Sequence, residues 1–315
     1  MTGRAATKPT AAPTRRRHDS ERRPGALTTA NVLLGLAPAG LVLLAVILYP
    51  LAHSLWLTFQ SWNLLTNEIR WVGLRNWGAL LSDPLLPKAL WVTFLYTGLG
   101  VLVQTLLGLG LAVAFRQAIR SRMPGTNVSR VLLLGPLVIA PLIWAFYFRS
   151  FFSPSFGLFN QVLGLLGIPP LLWVNSPDSA LVSLIIADTW QWTPFIAALL
   201  LAALLALPSE VLEAAALDGA NWFRSLIRVE LPMIKNLVLV IVLLRLIDSI
   251  KYIELMYTVT QGGPGTSTQT LNFYAFQTGF VEFQMGRAAV LAYVVFAVIM
   301  AATLVLIRFT RRSSA

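Results

Sequence analysis

Leu207-Pro208-Ser209-Glu210-Val211-Leu212-Glu213-Ala214-Ala215-Ala216-Leu217-Asp218-Gly219-Ala220-Asn221-Trp222, continued further on by Val229-Glu230-Leu231-Pro232, lies between two long apolar runs. The stretch reads as two short helices. Proline costs little in the first turn of a helix, so Pro208 and Ser209 mark a start. Ala214, Ala215 and Ala216 are the strongest helix formers. Gly219 suits a left-handed C-cap, and Asn221 suits the N-cap of a second helix. That second helix is expected to stop before Pro232, which restarts the chain into the next apolar run. Leu212, Ala215, Ala216, Trp222, Phe223 and Leu226 are more apolar surface than a solvated loop requires. A compact helix–Gly–helix elbow of this kind is a docking element.

The flanking sequence says what the elbow is attached to. Of 315 residues, 57% are hydrophobic and only 12% charged, and the mean hydropathy is +0.71. A soluble domain carries about twice that share of charge, so lipid is the solvent this composition fits. Six apolar runs are long enough for a helical span of about 20 residues, at residues 31–59, 88–115, 130–152, 179–207, 234–256 and 286–309. They are continuous rather than alternating, which indicates helices and not barrel strands. The expected fold is therefore all-α, with six transmembrane helices in residues 31–309 and the elbow in loop 208–233.

Charge sets the orientation. The formal charge is +11, and it is concentrated in residues 1–30, loop 116–130, loop 208–235 and the C-terminus at 310–315. The alternate loops hold few cations: Arg70, Arg75 and Lys88 in one, Arg149 near another. Both termini are accordingly expected in the cytosol. Outward loops carry Trp56, Trp62, Trp71 and Trp77 at interface depth. Residues 1–30, with Arg4, Lys8, Arg15, Arg16, Arg17, Arg22 and Arg23, read as a disordered basic cytosolic tail. No aromatics are interleaved among these arginines, so nucleic acid is not the expected partner. The apolar run that follows is too long for a signal-peptide core and lacks a small-residue cleavage site. There are no cysteines, which excludes disulfides and thiolate sites.

Several runs contain proline: Pro38 and Pro50, Pro136 and Pro141, and Pro194. Each frees a backbone carbonyl that a neighbouring helix or water must satisfy. Gly98, Gly100, Gly108 and Gly110 permit close helix approach.

At the elbow the sequence resembles a known family. Glu213-Ala214-Ala215, Gly219 and Val229-Glu230-Leu231-Pro232 are similar to the EAA signature of ABC importer permeases, with the usual Ile changed to Val229. Trp71-Val72-Gly73-Leu74-Arg75-Asn76-Trp77, Trp190-Gln191-Trp192-Thr193-Pro194-Phe195 and Gly262-Gly263-Pro264-Gly265-Thr266 resemble further family stretches. Together they look like the carbohydrate-uptake branch, in the subunit related to the larger maltose-system permease. The resemblance covers nearly all of the chain after Ala30.

The family implies a bacterial cytoplasmic-membrane subunit that passes a sugar or polyol inward. It implies a heterodimer of two permeases, two cytosolic ATPases and an extracytoplasmic solute-binding protein. It also implies that Glu213, Ala214, Ala215, Asp218, Gly219, Ala220, Leu231 and Pro232 form the surface seated in an ATPase groove. ATP and magnesium are then bound by that partner, and this chain carries no cofactor or metal.

The residues agree that the motor lies elsewhere. The phosphate-cradling pattern Gly-x-x-x-x-Gly-Lys-Ser/Thr is absent, and the Gly-rich turn at 262–265 has no lysine after it. His18 and His53 have no carboxylate or serine at catalytic spacing, so no enzyme is expected.

The fifth run places Arg245, Asp248, Lys251 and Glu254 every three residues with alternating sign. Successive members sit about 60° apart on a helix, so each reaches its neighbour. Asp188 is a similar intramembrane charge. Such groups face a cavity or a bundle interior. Two readings stand. In one, Asp188, Trp190, Trp192, Arg245, Asp248 and Tyr252 line a path for a polyhydroxylated solute. In the other, the charges form an interhelical network and the tryptophans belong to the interface belt.

Rival functions are an ABC permease for glycerophosphodiesters, amino acids or phosphonates, and more distantly an ion-coupled secondary transporter or a membrane-embedded enzyme. A secondary transporter has no use for the elbow.

Overall fold

A computed structural model describes residues 29–312, together with Gly3; the basic tail expected over residues 1–30 therefore lies almost wholly outside the described residues. The chain divides into two units. In the first, through Ala52, the described residues from Thr29 onward form apolar helix, the greater part of α1 (Thr29–Thr58), which contains both Pro38 and Pro50. The second, from His53 onward, is a packed helical body.

That body opens with a feature an all-α reading misses. Gln60–Asn63 (β1) and Glu68–Trp71 (β2) form an antiparallel hairpin. Asn63 Oδ1 accepts the amides of Leu65 and Thr66 at the turn, and Asn67 takes the left-handed conformation that asparagine tolerates. The hairpin is too short to leave a hydropathy signal. Trp71, expected at interface depth, stacks with Phe59, and Asn76 in α2 (Arg75–Leu81) donates to the carbonyls of Thr58 and Gln60.

Eleven further α-helices follow among the described residues. α3 (Leu85–Arg120) is the longest, at 36 residues. Next come α4 (Thr126–Leu133), α5 (Gly135–Val138) and α6 (Pro141–Phe151), then α7 (Leu158–Leu165) and α8 (Pro177–Leu205). The elbow holds α9 (Ser209–Leu217) and α10 (Trp222–Ser225). α11 (Leu231–Lys251), α12 (Leu271–Phe276) and α13 (Met285–Arg312) complete the order.

By length and composition, four helices among the described residues qualify as membrane spans: α1, α3, α8 and α13. The third predicted run is not one straight helix. It breaks between Val138 and Pro141, and its two arms meet at 93°. Ile139 and Ala140 are extended, with ψ of 127° and 137°. A residue before proline is driven out of the α region, and this is the cause of the break. The freed carbonyl of Ile139 accepts from Gln191 Nε2 at 3.5 Å. α11 is long enough to span, but its 21 residues include Lys235, Arg245, Asp248 and Lys251.

Packing is tightest between α3 and α8. A Cβ on Gly108 would lie 2.7 Å from Ile196 Cγ2, so only glycine permits this approach. A Cβ on Gly100 would meet Asp188 Oδ2 of α8 at 3.7 Å, an ordinary contact, whereas Gly98 and Gly110 face open space and serve no close approach. One apolar cluster joins Ala112, Ile196, Leu200, Leu204, Leu226 and Ile241. Another, largely aromatic, gathers Tyr96, Trp144, Phe148, Phe152 and Phe273.

Candidate functional site

Two places concentrate the chemistry: the elbow, and a polar cluster inside the bundle.

At the elbow, α9 begins directly after Pro208. Its C-terminus closes with two paired bonds, Ala220 N–H to Ala215 C=O at 3.0 Å and Gly219 N–H to Ala216 C=O at 3.1 Å. This is the Schellman arrangement, which needs a left-handed residue where Gly219 stands, and Gly219 has φ +77°. Asn221 then caps α10, its Oδ1 accepting the Arg224 amide at 2.9 Å. The expected start, turn and cap are thus all in place.

The expected stop before Pro232 is not. The chain passes from α10 through a π-helical turn, Leu226–Glu230, straight into α11. Pro232 sits in the first turn of α11, where its missing N–H is tolerated. The wide turn gives the proline ring room without ending the helix.

Of the residues assigned to the elbow surface, Glu213, Ala214, Asp218, Gly219 and Pro232 are exposed, Ala220 and Leu231 are half-buried, and Ala215 is buried. Ala215 therefore holds the elbow to the body rather than presenting a face. Leu217, at 89% exposure, and Trp222, at 69%, stand out from the elbow with Phe223. Trp222 and Phe223 meet edge to face at 5.7 Å.

Behind this face lies an ion pair that sequence reasoning missed. Arg116, near the end of α3, bonds through Nη1 to Glu230 Oε2, and Ser225 Oγ donates to Glu230 Oε1 at 3.2 Å. Both charged side chains are buried. A cavity of about 560 Å³ lies beside the pair, between α3 and α9–α10. In the sequence, Arg116 counts only as one more loop cation, and Glu230 as the unspecified position before Leu231-Pro232. A carboxylate next to an apolar run was the available signal.

Inside the bundle, three helices contribute one residue each to a buried polar cluster, in which Asp188 Oδ1 and Arg245 Nη1 stay unpaired. Asp188 Oδ2 (α8) accepts from Gln104 Nε2 (α3) at 2.7 Å and from Arg245 Nη2 (α11) at 2.5 Å. Gln104 Oε1 accepts from Arg245 Nε at 2.8 Å. Arg245 also lies over the Trp192 ring, 4.8 Å from its centroid. Asp188 and Gln104 are wholly buried and Arg245 nearly so.

The expected ladder of alternating charges does not form as such. Arg245 pairs across the bundle with Asp188, not along its own helix with Asp248. Asp248 is half-exposed and lies 3.6 Å from Lys251. α11 ends at Lys251, because Tyr252 turns extended with ψ 125°. Glu254 thus lies beyond the helix, and its Oε2 accepts the Ile253 amide. A carboxylate within reach across the bundle satisfies a buried guanidinium better than an exposed one along the helix, so the interhelical pair prevails. Of the other candidates, Tyr252 donates to Gln191 Oε1 at 3.0 Å. Trp190 is partly exposed and packs on Phe148. The structure thus joins Asp188, Arg245 and Trp192, and leaves Trp190 and Asp248 apart from them, while Tyr252 is buried in the aromatic cluster.

A third polar contact lies at the N-terminal end of α3. Asp83 Oδ2 accepts from Tyr274 Oη at 2.6 Å and from Arg287 Nη2 at 3.2 Å. Its Oδ1 accepts the Leu85 amide at 2.9 Å. Burial acts to raise the Asp83 carboxyl, but the bonds from Tyr274 and Leu85 and the charge of Arg287 together hold it below the usual carboxylate range. Burial, and then the bond to Asp83, push the Tyr274 hydroxyl up.

A helical body with several helices long and apolar enough to cross a membrane, and a glycine-turned elbow, is the framework of a membrane subunit. Comparison with known proteins makes the class specific. The sequence profile of the family described as binding-protein-dependent transport system inner membrane component matches residues 104–312. The chain is 34% identical over 243 residues to the trehalose/maltose transport system permease protein MalF of Thermococcus litoralis, covering 77% of this chain and 81% of that one. It is 32% identical over 280 residues to the sulfoquinovosyl glycerol transport system permease protein SmoG of Agrobacterium fabrum, covering 89% and 90%. In fold it is similar to a chain of a bacterial ABC transporter that imports the acidic polysaccharide alginate. The TM-score is 0.77 at 20% identity, over 91% of this chain and 97% of that chain. The chain belongs to the binding-protein-dependent transport system inner membrane component family.

Proposed function

We propose that the chain is one permease subunit of an ATP-driven importer for a sugar or polyol. It pairs with a second permease, two ATPases that bind ATP and magnesium, and an extracytoplasmic solute-binding protein. The observation that carries this reading is the elbow. A Schellman turn at Gly219 presents Glu213, Ala214 and Asp218, with Leu217, Trp222 and Phe223 exposed beside them. Apolar side chains held out on a rigid support are stabilised by burial against a partner, by about 25 cal/mol per Å² removed from water. The docked surface is Glu213, Ala214, Asp218, Gly219, Ala220, Leu231 and Pro232, with Ala215 as its anchor.

Six spans follow from counting the broken α4–α6 segment and α11 with the four unambiguous helices. Placing the elbow and the arginine-rich loop 116–130 in the cytosol puts both termini there and residues 31–309 in the membrane of a bacterial cell. Carbohydrate is favoured by the relatives, one described for trehalose and maltose and another for a sugar-linked glycerol. Within the bundle, the bonds that join Asp188, Arg245 and Gln104 across three helices favour a fastening role for these charges, with Asp188 Oδ1 and Arg245 Nη1 left unpaired within the chain. Trp190 and Asp248, both exposed, are the candidates left to face solute or the second permease; Tyr252 is buried and bonded to Gln191.

The test is co-purification of the tagged chain in mild detergent, with mass spectrometry of what accompanies it. A second permease and an ATPase with a phosphate-binding loop are expected. A chain that purifies alone in every mild detergent contradicts the reading.

A further inference from the structure

The Arg116–Glu230 pair ties the elbow to α3 beside the apolar cluster that joins Leu226 and Ala112. α9 and the start of α10 stand off from α3 across the cavity of about 560 Å³, with Leu212, Ala216 and Trp222 on one side and Val113 and Gln117 on the other. At its edge Glu230, the last residue of the π-turn, is fastened on one oxygen by Arg116 and on the other by Ser225. Arg116 and Glu230 are 114 residues apart in sequence, and their side chains are 7% and 3% exposed.

α3 is also gripped further along. Gln104 lies about 18 Å up the same helix from Arg116, at 1.5 Å per residue. There it is bonded to Asp188 of α8 and Arg245 of α11. Between the two points, Ala112 is fully buried and Gly108 lets α3 lie directly against Ile196. α3 is one unbroken helix over this distance. A displacement of the elbow therefore has a continuous, stiff route: through Glu230 to Arg116, along α3, and through Gln104 to α8 and α11.

We infer that Arg116 and Glu230 are positioning residues, a buried strut that makes the elbow and α3 move as one body and so carries the ATPase stroke into the membrane core. The inference rests on the reading of the elbow as the ATPase dock. A buried charge pair suits this task because its partners are fixed by direction as well as by distance, and either charge left alone in the interior is heavily penalised.

The experiment uses the assembled importer in proteoliposomes and reads uptake per ATP hydrolysed. Co-purification of the ATPase with the native chain tests the docking reading separately. Glu230→Gln is expected to retain the ATPase and to lower the uptake-to-hydrolysis ratio by about fivefold to a hundredfold, the ordinary range for coupling between distant sites. The swap Arg116→Glu with Glu230→Arg is expected to recover most of it. The chain has no cysteine of its own, so Arg116→Cys with Glu230→Cys, joined by a short bifunctional thiol reagent, replaces the ion pair with a covalent link. The linked form is expected to regain the ratio that the unlinked double variant loses, with the native importer treated alike as the control. If the linked form assembles and stays uncoupled, or Glu230→Gln assembles with an unchanged ratio, the strut is overturned. If Glu230→Gln does not assemble, the linked form decides.

Discussion

The elbow and the centre of the bundle use charge in opposite ways. At the elbow, Glu213 and Asp218 are exposed on a short helix whose shape is set by backbone chemistry, a glycine turn and an asparagine cap. In the bundle, Asp188 and Arg245 are buried among three helices and bonded to each other and to Gln104, with Asp188 Oδ1 and Arg245 Nη1 left unpaired. The first arrangement leaves charge free to meet a partner. The second spends it on holding helices together. Charge alone is thus no guide to function in this molecule; whether the charge already has a partner is.

The contrast is broken most sharply at Arg245. Arg245→Leu leaves Asp188 buried without its cation, and should destabilise the body by about 3–5 kcal/mol. Yield of folded protein and thermal midpoint in detergent should both fall. An unchanged midpoint would mean the cluster fastens nothing. Gly219→Asp acts on the other region. A side chain at φ +77° costs about 1–2 kcal/mol locally and places a charge on the docking face. Uptake should collapse while the chain's own midpoint moves little, and uptake at the native rate in an assembled complex would remove the elbow from the mechanism.

Asp83 lies between these extremes, paired yet partly open to solvent. Its carboxyl is held low in the folded state. The stabilisation it supplies is therefore complete above the ordinary carboxylate value of about 3.9 and is lost as pH falls through the lower folded value. Asp83→Asn should reduce stability by about 1 kcal/mol near pH 7, and the gap between variant and native chain should narrow steadily as the pH falls below the ordinary carboxylate value of about 3.9. A gap that persists there would assign the effect to packing. Smallest of all, Asp248→Ala removes an exposed pair with Lys251, and should change stability by at most about 0.2–1 kcal/mol. A fall in uptake without a fall in midpoint would place Asp248 on the solute path.

Legibility in the sequence follows the same division. The elbow is local: Pro208, Gly219 and Asn221 act on backbone within a few residues of themselves, so a linear reading finds them. Even there the reading failed at Pro232, because whether a π-turn replaces a helix end depends on how Arg116 of α3 and Ser225 of α10 hold Glu230. The helical membrane body was legible from apolar run length, but the right-angle break at Ile139 and Ala140 was not. Pro136 and Pro141 announce a disturbance, while its angle depends on what packs around it. The bundle cluster was half legible. Asp188 and Arg245 were conspicuous as intramembrane charges, but periodicity along α11 suggested Asp248 as the partner of Arg245. The true partners lie 57 and 141 residues away, and nothing in a helical repeat encodes that. Hairpin β1–β2 was invisible because four-residue strands carry too little pattern.

The central claim is that this chain passes solute inward under ATP drive applied at the elbow. Reconstitution of the co-purified complex in proteoliposomes, with labelled sugar and the binding protein on one side and ATP on the other, tests it directly. The account predicts accumulation that requires both ATP and the binding protein, and that Gly219→Asp abolishes. Accumulation by this chain alone, driven by an ion gradient without ATP, would contradict it.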